Sequence, residues 1–261
     1  MSERIDTFEV GGTPVIQVRI PSGSLRFAEG ARGAVVVRME GKESAIDRYR
    51  VQQTDDLIQI EPEGGKYLLN AGVRMTIETG VPPEVRVKVS SGDVSAAVEI
   101  ADLQIDSASG DIRFDRVSGD VTARSASGDL KIGSISGFFK ASLASGDVQV
   151  GVVEGGADLK TASGDVRIKI AEGGIKAKSA SGDVSIDNLR AGDFDAKLLS
   201  GDVLIGLPSG RAFDVSLDAV SGKVSTEFPV SRDGDEGADE RGVSVISIKT
   251  VSGDIALRPA N

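Results

Sequence analysis

A chain of 261 residues with no cysteine and no histidine has no disulfide to staple it, no Ser-His-Asp or Cys-His nucleophile, and none of the usual zinc ligands. With 8 Phe, 2 Tyr and no Trp against 33 Gly, its apolar volume must come from Val, Ile, Leu and Ala, which suits a thin repetitive interior better than a thick globular core. A formal charge of −10 lacks the basic field that phosphate backbones require, so nucleic acid is not expected as the main partner.

Charges interrupt the first ten residues, and no later stretch approaches the roughly 18 apolar residues of a membrane helix. The expectation is a chain without signal peptide or transmembrane span, cytoplasmic and at most peripheral to a membrane. Residues 1–83 carry strand-like runs at 14–20, 33–39 and 56–60 but no repeat. They are predicted to form an antiparallel β cap, with a short helical turn at 43–47, covering the unpaired edge that any solenoid exposes at its end.

From residue 84 a repeat dominates. Ser-Gly-Asp recurs at 91, 109, 118, 127, 145, 163, 181, 200 and 252, with Ser221-Gly222-Lys223 as an altered copy. Weaker corners at Gly137, Gly155, Gly173 and Gly192 fall midway, one of them after a single-residue slip. Between corners, apolar and polar residues alternate, as in Val166-Arg167-Ile168-Lys169-Ile170; period two means a strand with one buried face. A corner every nine residues and a full repeat of eighteen give a coil of two strands and two corners, each coil pairing in parallel with the next. The fold class is therefore all-β, a parallel β-solenoid, with regular coils over 84–207. Adding eighteen picks out buried columns such as Val94, Ile112, Leu130, Val148, Val166, Val184 and Val203. Gly supplies positive φ at the corner while Ser and Asp bond nearby amides, so Ser-Gly-Asp reads as turn chemistry first.

Residues 208–261 lose the period and are predicted to close the domain with irregular strands and longer connections. Their largest interruption, 232–242, is acidic, with no apolar side chain larger than Ala, and reads as a loop or an acidic binding tongue.

A strand-rich leader, then Val81-Pro82-Pro83 running into Val85-Arg-Val-Lys-Val-Ser-Ser-Gly-Asp-Val94, then Ser-Gly-Asp-Val repeats resembles the bacterial "putative adhesin", or toastrack, β-repeat family of unknown function. The resemblance covers nearly the whole chain. It implies a β-solenoid without established catalytic residues and a link to cell-envelope stress modules, some of which carry membrane segments or secretion signals. A protein or envelope-associated partner follows from it; a membrane partner would recruit this chain.

Two surface columns stand out. Asp93, Asp111, Asp129, Asp147, Asp165, Asp183 and Asp202 stack on one corner, where like charges repel unless turn amides or cations such as Arg113, Lys131 and Arg167 compensate. Calcium at Asp111, Asp129, Asp147, Asp165 and Asp183 is the metal reading; the bland one is turn bonding, because the corner lacks the extra glycines of nonapeptide calcium rolls. Arg124, Lys160, Lys178 and Lys197 align on the second strand, beside Lys140 and Lys176, as a binding face for an anionic partner or as a solvated face that blunts sheet pairing. Polysaccharide-lyase chemistry lacks its aromatic platforms, Phe138 being the one outward aromatic on the coils. No catalytic residue and no cofactor are expected. The remaining alternative is a self-assembling β-helical scaffold.

Overall fold

The computed structural model describes residues 2–63, 72–228 and 243–260. The chain is built almost wholly of strands, with one helical turn at Glu43–Ile46, and it divides into two units, 1–135 and 136–261.

In the first unit, strands stack in parallel layers. Val15–Glu29 lies between Glu84–Ile100 on one side and Leu57–Pro62 with Val73–Thr79 on the other. Glu84–Ile100 then pairs with Asp102–Ser109 and Ile112–Val117, which pair with Val121–Ser125 and Leu130–Ile135. The leader is thus partly parallel: Val15–Glu29 is itself a solenoid layer, hidden from a search for Ser-Gly-Asp because its corner reads Ser22-Gly23-Ser24. The antiparallel cap is Ser2–Glu9 on Ala34–Gly41, Ala34–Gly41 on Val73–Thr79, and Tyr49–Thr54 on Leu57–Pro62. Ala45, Ile46 and Tyr49 are buried beneath it. Burial pushes the Tyr49 phenol up to about 12, and its backbone carbonyl accepts a hydrogen bond from Arg4 Nη1 at 2.7 Å.

The second unit has two ladders of parallel strands. One runs Phe139–Leu143, Ala157–Ser163, Ile175–Ser181, Phe194–Ser200, Ser244–Ser252, Phe213–Ser221. The other runs Val148–Val153, Val166–Ala171, Val184–Leu189, Val203–Leu207, Ile255–Pro259, Val224–Thr226. The spatial order departs from chain order at the end: the last segment, 244–259, is interposed between 194–207 and 213–226. Residues eighteen apart lie side by side, Val148 on Val166 and Val166 on Val184, nineteen carrying the column on to Val203. Each of these valines is at most 3% exposed, so each contributes about 1.5–2 kcal/mol of transfer free energy. Large and small residues offset each other: Phe139 neighbours Ala157, and Ile175 neighbours Phe194 above a column of Ala141, Leu159, Ala177 and Ala196.

Candidate functional site

The acidic corner is a hydrogen-bonded ladder. In the first unit, Asp93 Oδ1 accepts the Asp111 amide at 2.9 Å and Asp111 Oδ1 the Asp129 amide at 3.1 Å. In the second unit, the amides of Asp165, Asp183, Asp202 and Asp254 donate to the Oδ1 of Asp147, Asp165, Asp183 and Asp202 at 2.7–2.9 Å, and Lys223 N–H donates to Asp254 Oδ1 at 2.8 Å. An ionised acceptor strengthens each bond and offsets the repulsion between stacked carboxylates. Asp254 belongs to this column although it stands 52 residues after Asp202, a separation no fixed period reveals. Of the five aspartates read as calcium ligands, Asp111, Asp165 and Asp183 each commit an oxygen to the next amide in this way, and so does Asp147. Among the described residues, no group of three or more His, Cys, Asp or Glu side chains is placed to hold a metal ion.

The lysine face is concentrated in the second unit. Strand register sets Ser142 beside Lys160, Lys160 beside Lys178, Lys178 beside Lys197 and Lys197 beside Lys249, with Asp218 beyond. Four lysines in successive parallel strands span about 14 Å at the usual 4.8 Å spacing. Lys249 was missed by periodicity because the layer that carries it is reached through the long excursion after residue 207. All four are exposed. Lys160 Nζ lies 3.9 Å from Asp158; among the described residues, Lys178, Lys197 and Lys249 have no ion pair. Arg124 sits in the first unit, where its row reads Arg19, Lys88, Asp106, Arg124. Asp106 breaks that row and holds Arg124 Nη1 at 3.4 Å.

Two rows flank the lysines on the same face. On one side, Lys140, Asp158, Lys176 and Asp195 alternate in charge, with the neutral Ser247 next in register. On the other, two residues past each lysine, stand Ala162, Ala180, Leu199 and Val251, and Val220 falls in register with Val251. Leu199 is 63% exposed, Val251 49% and Val220 78%. Beneath them Ser179 and Thr250 are buried, and neither hydroxyl has a hydrogen-bond partner among the described residues. The acidic stretch 232–242 lies outside the described residues. Among the described residues, no helix is long and apolar enough to cross a membrane.

Solved structures share this architecture at low identity. A Parabacteroides distasonis ATCC 8503 protein named "Putative lipid binding protein" matches with a TM-score of 0.61 and 15% identity, over 98% of this chain and 96% of that one. A Bacteroides fragilis NCTC 9343 protein named "putative adhesin" matches with a TM-score of 0.52 and 14% identity, over 98% and 97%. No curated protein matches the chain. The Toastrack DUF4097 family matches residues 15–258, a span that opens at the first parallel layer and closes within the last strand. Since the match covers the stacked layers from end to end, the chain belongs to the Toastrack DUF4097 family.

Proposed function

We propose that this protein is a non-catalytic interaction module, cytoplasmic and peripheral to the membrane, that holds an anionic partner against the lysine row of its second unit. The observation that carries this reading is Lys160, Lys178, Lys197 and Lys249 in one register, three of them without an ion pair among the described residues. A row placed only for solubility gains nothing from registered like charges, which repel by several tenths of a kcal/mol per neighbouring pair even in water. An anionic partner removes that penalty. The names of the two structural neighbours, which speak of lipid binding and adhesion, describe attachment rather than turnover and support the same reading.

The test is binding to inorganic polyphosphate as a soluble anionic probe, followed across ionic strength. The wild-type chain binds with an affinity that falls as salt rises, and Lys160→Glu with Lys178→Glu lowers it at least about tenfold. Unchanged binding in the double variant retires the lysine row as the contact.

A further inference from the structure

The lysine row does not stand alone, and its apolar neighbour narrows the class of partner. Resting on the reading above, we infer that this face docks on an anionic lipid surface. Lys160, Lys178, Lys197 and Lys249 form one line, and Ala162, Ala180, Leu199, Val251 and Val220 form a second, parallel to it. Residues two apart on a strand project from the same side, about 6.6 Å from each other. The face is therefore amphipathic across its width: ammonium groups on one line, bare aliphatic groups on the next.

A soluble anion uses only the first line. Leu199, Val251 and Val220 are 63%, 49% and 78% exposed, whereas the inward aliphatic side chains of the strands that carry Leu199 and Val251, namely Ala196, Leu198, Ile246 and Ile248, are at most 3% exposed. A lipid interface satisfies both lines at once, because phosphate groups lie at the level that flexible lysine stems reach and the acyl boundary lies just below. The apolar side chains grow from Ala162 and Ala180 to Leu199, Val251 and Val220, so the face inserts deepest at the outer strands of the second unit.

The surrounding charges fit that orientation. Over the lysine row and the alternating row beside it, six lysines (140, 160, 176, 178, 197 and 249) stand against Asp158, Asp195 and Asp218. The aspartates of the corner column spend an oxygen on the neighbouring amide. Attraction is local, and the formal charge of −10 is screened beyond roughly 8 Å at physiological ionic strength. The chain therefore meets an anionic surface through this one face.

Co-sedimentation of the full chain with vesicles tests the inference, using phosphatidylcholine alone and phosphatidylcholine mixed with phosphatidylglycerol, with polyphosphate binding as the parallel soluble arm. The chain is expected to partition onto the mixed vesicles and not onto phosphatidylcholine alone. Lys178→Gln with Lys197→Gln lowers partitioning about thirtyfold, at about 1 kcal/mol per lysine near an anionic surface. Leu199→Ser with Val251→Ser, both outward and so compatible with folding, lowers vesicle partitioning roughly tenfold and leaves polyphosphate binding unchanged. Polyphosphate binding without vesicle binding, or vesicle binding indifferent to Leu199 and Val251, overturns the lipid inference and leaves the anionic-partner reading standing. Binding to neither probe overturns both.

Discussion

A glycine at a Ser-Gly-Asp corner is held there by two independent constraints. Gly164 has a φ of +117° and Gly182 one of +130°, a region closed to L side chains without strain. A Cβ on either would also drive into the carbonyl of the corner glycine in the layer before, Gly146 or Gly164. Gly164→Ala is expected to lower the unfolding free energy by about 3 kcal/mol, read from the urea midpoint. Gly11→Ala, which meets open space and carries no positive φ, stays within about 0.5 kcal/mol of the parent; equal effects of the two would refute the corner argument. The cap offers a titration at the same scale. Burial raises the Tyr49 pKa to about 12, while an unfolded phenol ionises near 10. The folded state thus favours the neutral form. Stability is intact below about pH 10 and falls as pH climbs from 10 towards 12. Thermal melts across that window should show the fall in the wild type and a shallower one in Tyr49→Phe.

The strands were legible in the sequence wherever two rules agreed. Alternation assigned Val166-Arg167-Ile168, and the eighteen-residue step placed Val148 beside Val166, because a parallel ladder with constant coil length turns spacing along the chain directly into adjacency. The same rules failed where the coil length changed. Val15–Glu29 is a parallel layer that sequence reasoning assigned to the cap, its partner corner standing 69 residues on at Gly92. Lys249 and Asp254 lie 52 residues after Lys197 and Asp202, so the lysine row and the aspartate ladder were each read one member short. Arg124 was aligned with the lysines by arithmetic, yet its neighbour Asp106 neutralises it, and periodicity carries no information on that exchange. The apolar row escaped notice for a different reason: Leu199 and Val251 look like ordinary strand residues until the register shows which face they occupy.

For the molecule as a whole, the position of segment 244–259 between 194–207 and 213–226 separates the order of synthesis from the order in space. Residues 213–226 leave the ribosome first, with a Ser221-Gly222-Lys223 corner able to seat on Ser200-Gly201-Asp202 as Gly182 seats on Gly164 and Gly164 on Gly146. They finish outermost, where Val215 is 39% and Val224 49% exposed, whereas Ile246 and Ile255 occupy the equivalent inner positions at 0%. The later segment brings Ile for Val at both sites and Leu257 opposite Thr226, worth a few kcal/mol at about 0.8 per methylene. A chain ending at residue 228 is thus expected to protect the amides of 213–226 from hydrogen exchange by pairing them directly with 194–207; free exchange there would refute this. On that expectation the nascent protein would pass through a provisional fold, and segment 244–259 would complete it by evicting a tenant rather than by filling a vacancy.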